Sequence, residues 1–221
     1  MPAFNPSRLR TFTSTARPTM YGAVADGQFQ IATDGVRLIR IPCGETRNVR
    51  FERGGGMVEG GLDLSYYPNV HAVFPREFTQ IAWYEAQALR TAAKVAIGAN
   101  DALIADLWAE EKAKPASKRK TLAAVKGQHP PRIAFTPEGP VKVTLTSIRA
   151  DLDLQAQYDV EPLDGTRTGG RIPEPIAINA KFLVDALVGA KGPVIIRLVD
   201  AYSPVQIEHG DETHLIMPIR A

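Results

Sequence analysis

Cysteine occurs once in this 221-residue chain, at Cys43, so neither an internal disulfide nor a thiolate metal cluster can form. Cys43 lies in an apolar stretch, where a packed, inert thiol is the expected state. No apolar run reaches the ~18 residues of a membrane-spanning helix. Met1 to Arg17 lacks the basic start and apolar stretch of a signal peptide, which makes the cytoplasm the expected location. Enzyme motifs are absent as well. The histidines His71, His129, His209 and His214 form no HExxH pair, and there is neither a GxSxG elbow nor a GxxxxGK(S/T) phosphate loop. His209 and His214, one in a turn and one in a strand, read as an incidental pair. Asp151 and Asp153 read as a solvated strand face without further acidic partners. No catalysis, cofactor or metal is expected on these grounds.

Charge of one sign is also lacking overall, since 26 Lys and Arg against 24 Asp and Glu leave a formal +2. The balance is local rather than uniform. Lys112, Lys114, Lys118, Arg119, Lys120, Lys126 and Arg132 crowd one stretch, preceded by Glu110 and Glu111. With Pro115, Ser117, Pro130 and Pro131 nearby, the segment reads as a solvated, partly mobile linker; phosphate contact is the alternative, because that attraction is local.

What the chain does have is apolar content of 44%, enough for one large or two small globular domains. From Tyr21 to Pro42 apolar and polar positions alternate in short runs broken at Asp26-Gly27 and Asp34-Gly35, dipeptides suited to tight turns between antiparallel strands. A second broken strand pattern covers Asn48 to Glu52 and Met57 to Leu64 across Gly54, Gly55 and Gly56. Tyr66, Tyr67, Pro68 and Asn69 then stop the ladder, and an irregular connector runs through Val73, Phe74 and Pro75.

Helix is expected from Glu77 to about Ile97, with Phe78, Ala82, Leu89, Ala93 and Ile97 near one face, and a second helical stretch from Asp101 to Lys112 that Pro115 ends. Arg132 to Phe135, Val141 to Thr146 and Ile148 to Tyr158 read as strands. Asn179 can cap a short helix, Ala180 to Val188, before three strands at Pro193 to Asp200, Pro204 to Glu208 and Thr213 to Ile219. Strands and helices in this order describe an α+β fold with antiparallel sheets.

Four motifs in order then carry a resemblance. Leu215-Ile216-Met217-Pro218-Ile219-Arg220 resembles the C-terminal ending of bacterial DNA polymerase III beta sliding clamps. Ile178 to Leu187 resembles that family's last helix, followed by the Ser203-Pro204-Val205 turn and strand. Ala32-Thr33-Asp34-Gly35-Val36-Arg37-Leu38 is similar to its Ala-Thr-Asp-Gly-His-Arg-Leu signature, with Val36 in place of the histidine. Tyr67-Pro68-Asn69 to Val73-Phe74-Pro75 resembles its Phe-Pro-Asp-Tyr and Leu-Pro connector.

The resemblance implies a DNA-clamp fold, antiparallel sheets with helices on one face, and a processivity factor rather than an enzyme. It implies an apolar groove for peptides of DNA polymerases and clamp loaders. Carried over by motif, that groove comprises Thr33, Gly35, Val36, Arg37, Leu38, Pro68, Val73, Leu215, Met217, Pro218, Ile219 and Arg220. Taken singly, Leu38, Val73, Leu215 and Met217 would be ordinary core residues; their joint occurrence favours the groove.

Double-stranded DNA, held without reading its sequence, is the other implied partner, with Arg90, Lys94, Lys181 and Lys191 as lining candidates. The family's three similar domains do not fit in this length. Residues 1–75 suit a reduced clamp-like domain with its connector, with Pro6 to Thr15 supplying its one helix. Residues 76–221 suit a C-terminal clamp-like domain with an insertion at about 101–130. A short subunit must assemble as a homo-oligomer to close a ring. A clamp-like module that forms no ring and competes for clamp partners is the alternative.

Overall fold

The computed structural model describes residues 3–137, 139, 141–145, 156–165 and 168–219. The chain opens with a short helix, α1 (Pro6–Arg10), capped by the Asn5 side chain, which accepts from the Arg8 amide at 3.1 Å. Strands β1 (Gly22–Asp26), β2 (Phe29–Thr33), β3 (Arg37–Pro42), β4 (Thr46–Phe51) and β5 (Met57–Glu59) follow. Both turns expected from the sequence form. At the first, Gly27 takes a φ of +90°, and the Asp26 carboxylate accepts from the amides of Gln28 and Phe29 at 2.9 and 2.7 Å.

After a connector containing one turn of tighter helix at Val70–Val73, β6 (Gln80–Glu85) leads into α2 (Ala86–Ala113), and α3 (Leu122–Gln128) packs back on it. Strands β7 (Arg132–Phe135), β8 (Val141–Leu145), β9 (Ala156–Val160), β10 (Thr168–Gly169) and β11 (Ile176–Asn179) come next. Helix α4 (Ala180–Ala186) and strands β12 (Pro193–Leu198), β13 (Val205–His209) and β14 (Glu212–Ile216) complete the order.

Two antiparallel sheets result. The larger runs β10-β6-β12-β13-β14-β3-β2-β1-β4-β5 and the smaller β11-β7-β8-β9. The larger sheet is continuous because β14, near the C-terminus, pairs with β3, near the N-terminus, in the register Leu215↔Leu38 and Ile216↔Arg37. Ladder hydrogen bonds therefore join the two ends of the chain, and what lies above this seam is positioned by backbone pairing rather than by loops.

Three apolar clusters fill the interior. One draws only on residues between Ala82 and Ile216, with Tyr84, Leu89, Phe135, Ile178, Leu183 and Ile207 among its buried members. A second gathers Leu9, Phe12, Ala23, Ile39, Val49 and Phe51 from the first strands and α1. The third, Ile31, Leu38, Val70 and Leu215, lies where the β3–β14 seam meets the connector. Arg40 holds the connector down, its guanidinium lying 3.9 Å from the centre of the Phe74 ring and 4.7 Å from that of Phe29.

Two sequence expectations are corrected. Gln80–Glu85 is not the start of a helix but strand β6, paired with β12 from Pro193↔Glu85 to Leu198↔Gln80. Gln80, Ala82 and Tyr84 alternate into the core. Ala82 and Leu89 are seven apart, a spacing that fits a helix face, and only the partner strand reveals the two-residue period. Helix α2 is also one unbroken element through Asn100, since Ala86, Leu89, Ala93, Ala96 and Ile104 keep one buried stripe against α4 and the smaller sheet.

The basic segment keeps its cations exposed, as a solvated linker would, but folds into short helical turns against α2. Buried Glu111 accepts from Lys114 Nζ at 2.5 Å and from the Lys120 amide at 3.0 Å, while Arg119 donates to the Lys112 and Lys114 carbonyls. Val125 of α3 is buried against α2. The last expected strand of the middle meander is found at Ala156–Val160; Asp151 and Asp153 lie outside the described residues.

Helix α1 crosses to the C-terminal strands through Arg8, which donates to both Glu212 carboxylate oxygens at 2.6–3.1 Å and to the Asp185 and Ala186 carbonyls. Burial raises the Glu212 carboxyl, but hydrogen bonds from His214 and Arg8, with the Arg8 charge, outweigh it and hold the group down to about 2. Burial pushes the His214 imidazole down to about 4 against the opposing pull of Glu212.

Candidate functional site

The loop between β2 and β3 is built by its own side chains. Asp34 Oδ1 accepts from the amides of Val36 and Arg37, both at 2.9 Å, and Thr33 Oγ1 accepts from the Gly35 amide at 3.0 Å while donating to the Arg37 carbonyl at 2.8 Å. Gly35 takes a φ of +86°, the left-handed conformation that closes the turn. This geometry presents Val36 outward at the lip of the larger sheet.

Beyond β14 the tail keeps pairing. The Met217 amide donates to the Val36 carbonyl at 2.8 Å, and the Ile219 amide reaches across to the Ala177 carbonyl of β11 at 2.8 Å. Met217 is thereby fixed beside Val36, with Leu215 and Leu38 paired beneath them.

Together with the connector, these elements enclose an open apolar cavity of about 260 Å³. Its walls include nine of the residues expected from the sequence: Thr33, Gly35, Val36, Arg37, Leu38, Pro68, Val73, Leu215 and Met217. Leu38, Leu215 and Val70 form a buried floor, whereas Val36, Val73 and Met217 are 36–44% exposed at the rim. Large aliphatic side chains left open to water above a pre-formed floor make a receptor for apolar side chains.

Pro218 and Ile219 follow on the tail but do not line the cavity, and Arg220 lies outside the described residues. Sequence reasoning missed Arg17, Met20, Val70 and Pro204, which complete the walls. Val70 and Pro204 lie inside motifs already singled out. Arg17 and Met20 come from the segment after α1, where no pattern marks them. Both side chains reach Gly35, where a Cβ would stand 2.3 Å from Arg17 Nη1 and 3.2 Å from Met20 Sδ.

The two arginines of the cavity differ in what they can offer. Arg37 donates to Asp34 Oδ2 at 2.9 Å, to the Thr11 carbonyl at 2.8 Å and to Asp185 of α4, and its guanidinium lies over Phe182 and Phe12. It is a strut between α1, α4 and β3, with its polar capacity spent inside the fold. Arg17 is exposed, and its side chain makes one hydrogen bond among the described residues, to the Asp34 carbonyl at 3.2 Å. Of these two arginines, Arg17 has the more open guanidinium at the cavity.

A second hollow of about 170 Å³ shares Pro68 and Val70 with the first and extends it toward Asp26 and His71, which pair at 3.2 Å. Tyr67 borders it, its hydroxyl near the Ile31 carbonyl, and burial pushes its phenol well above the usual range.

Of the DNA-facing candidates, Lys94, Lys181 and Lys191 are exposed. Arg90 instead donates to the Leu187 and Ala190 carbonyls at 2.6 and 3.2 Å, capping the end of α4. Its charge serves the helix terminus. Among the described residues no helix is long and apolar enough to cross a membrane.

Antiparallel sheets with a few helices in this arrangement match the fold of the DNA polymerase sliding clamps. The particular likenesses are to bacterial beta subunits. The chain matches over its whole length the beta subunit of DNA polymerase from Streptococcus pyogenes, with a TM-score of 0.65 at 16% identity, covering 67% of that chain. It matches the DNA polymerase III beta subunit of Thermotoga maritima over 97% of its length, with a TM-score of 0.62 at 15% identity and 62% of that chain covered. A DNA polymerase sliding clamp from Pseudomonas aeruginosa gives 0.63 at 16%, with 97% of this chain and 63% of that one covered. The chain thus spans between 59% and 67% of the length of such clamps. No protein-family model matches the sequence, and no curated protein does.

Proposed function

We propose that this protein is a cytoplasmic, non-catalytic processivity factor of the sliding-clamp type, which captures short peptides of a DNA polymerase or clamp loader in its apolar cavity. The observation that carries this reading is the convergence on one cavity of the β2–β3 turn, the connector and the tail, three segments far apart in sequence. A peptide with spaced aliphatic and aromatic side chains would place them on the Leu38–Leu215 floor between Val36, Val73 and Met217, and its acidic groups beside Arg17. Residues 1–75 would form the reduced clamp-like unit and residues 76–221 the second, with 101–130 as an added helical hairpin. Double-stranded DNA is the second partner in this reading, met through Lys94, Lys181 and Lys191 in a ring of several subunits.

One observation favours a second reading, a clamp-like peptide-binding module that forms no ring. The N-terminal unit carries a single five-residue α-helix, α1, and Arg90 is committed to α4, so few cations are available to line a channel. Mass determination in solution by light scattering separates a ring from a monomer.

The groove is tested by fluorescence polarisation with a labelled Gln-Leu-x-Leu-Phe peptide, on the full chain and on a truncation ending at Ile216. Saturable binding that is lost in a truncation with an unchanged melting temperature is the expected result. A folded truncation that binds as tightly as the full chain would put the site elsewhere.

A further inference from the structure

The hairpin formed by β13 and β14 brings together three groups that the sequence alone leaves unrelated. His209 pairs with Glu212, and Ile207 with His214, so the antiparallel register sets His209, Glu212 and His214 on one face of the hairpin end. The two imidazoles are stacked, with ring centres 5.2 Å apart, and both direct Nε2 at the same point. His209 Nε2 lies 3.2 Å from His214 Nε2; Glu212 Oε2 lies 3.0 Å from the latter and 3.7 Å from the former. We propose that His209, Glu212 and His214 form a binding site for a borderline divalent transition-metal ion of the Zn²⁺ class.

The distances carry the argument. Ligands bound tetrahedrally at about 2.0–2.1 Å stand about 3.3 Å from one another. The three separations bracket that value without any movement of the backbone. Two imidazoles and one carboxylate suit Zn²⁺ and its transition-metal neighbours, whereas Ca²⁺ and Mg²⁺ take oxygen ligands.

Hydrogen bonding without an ion leaves the cluster strained in its protons. His209 Nε2 can donate to the Ala186 carbonyl at 2.7 Å, and His214 Nε2 to Glu212. Two N–H groups then face each other at 3.2 Å. Moving either proton to Nδ1 instead turns an imidazole lone pair toward its neighbours. An ion at the centre accepts both nitrogen lone pairs and the carboxylate at once. The rings stay neutral, each proton shifting from Nε2 to Nδ1, so none need be released. The His209 hydrogen bond to the Ala186 carbonyl is given up and the buried His214 Nδ1–H has no acceptor among the described residues, a cost that the three bonds to the ion must exceed.

The surroundings position the ligands. Phe12 packs on the His214 ring at 5.3 Å between centres, and Arg8 Nε reaches both Glu212 oxygens, Oε1 at 3.1 Å and Oε2 at 3.0 Å, fixing the carboxylate beside the two imidazoles. Arg8 also brings a positive charge to Oε2, 2.6 Å from its Nη2, so that contact must lengthen when the ion binds. All three ligands come from the β13–β14 hairpin, beside the contacts by which Arg8 of α1 and the Ala186 carbonyl of α4 meet it.

The test uses the untagged full chain, stripped with EDTA and titrated with ZnCl₂ by calorimetry, and with CoCl₂ by visible absorption. Expected are one equivalent of Zn²⁺, a rise in melting temperature, and Co²⁺ bands of tetrahedral intensity. His209→Asn, at the turn end of the hairpin, should weaken binding by at least roughly tenfold, and Glu212→Gln by a similar factor, the scale of impaired ligand support. A His71→Asn/His129→Asn double variant, which removes the other histidines, should bind as the parent does. No saturable binding by the parent, or parental affinity in a folded His209→Asn variant, overturns the site. Failure of the His71/His129 variant to bind overturns it equally.

Discussion

Met217 and Val36, 181 positions apart, are joined by a backbone hydrogen bond of 2.8 Å from the Met217 amide to the Val36 carbonyl. That bond extends the β3–β14 ladder by one step past Ile216 and sets both side chains on the rim of the cavity. Met217 contributes a flexible thioether that can adapt to different apolar guests. Its exposure means that little stability depends on it. Met217→Ala is expected to cut peptide affinity several-fold in a polarisation titration while changing unfolding free energy by less than about 0.5 kcal/mol, the range for exposed positions. Met217→Pro removes the donor itself and should weaken binding further.

Below the rim the expectation reverses. Leu38 and Leu215 are each 3% exposed and face one another across the seam. Leu215→Ala would remove a buried side chain where two strands and the connector meet, costing about 2–5 kcal/mol. A urea melt of this variant should therefore show a large shift, and peptide affinity should be measured only below its unfolding transition. A shift under about 1 kcal/mol would mean that the floor relaxes around the smaller side chain and is not a rigid surface.

Arg17 and Arg37 separate binding from structure. Arg37 is engaged by Asp34, Thr11 and Asp185 and stacked on two rings, so Arg37→Ala should destabilise the fold by about 1–3 kcal/mol. Arg17 is exposed, with one long hydrogen bond, so Arg17→Ala should leave the melting temperature unchanged. Its effect should appear in a peptide titration at low salt, as a weaker affinity for acidic peptides that fades at high salt. Equal affinity for acidic and neutralised peptides in the parent protein would remove Arg17 from the site.

How much of this was open to sequence reading depends on the range of the interactions. The turns at Asp26-Gly27 and Asp34-Gly35, the Asn179 cap and the three final strands rest on residues within a few positions of one another, and all are found where their chemistry places them. The cavity was legible because its walls lie in motifs with a fixed order. Arg17 and Met20 were not, because they reach the site from the segment after α1 through a tertiary contact at Gly35 that no local pattern marks. Strand β6 was hidden for a related reason: its partner β12 lies more than a hundred residues away, and its own composition runs without a break into α2. The contacts that Arg37 and Arg90 make inside the fold were not legible either, since a sequence shows a guanidinium but not the carbonyls beside it.

Exposed cations decide the question of DNA. Lys94, Lys181 and Lys191 are exposed, whereas Arg90 is held by two carbonyls, so a channel lined by α2, α4 and the turn before β12 would draw its charge from the lysines. Removing one lysine that neutralises a phosphate should reduce the salt dependence of duplex binding by about 0.9 in log–log slope. A Lys94→Ala/Lys181→Ala/Lys191→Ala variant should lower that slope by up to about 3 per subunit if all three lysines touch phosphates, with no change in peptide binding. Arg90→Ala should act differently, loosening the end of α4 and lowering the melting temperature while leaving the slope close to the parent's. If the slope instead follows Arg90, or follows the basic residues of the α2–α3 hairpin, then duplex DNA meets another face, and the ring geometry that places α2 and α4 around it fails.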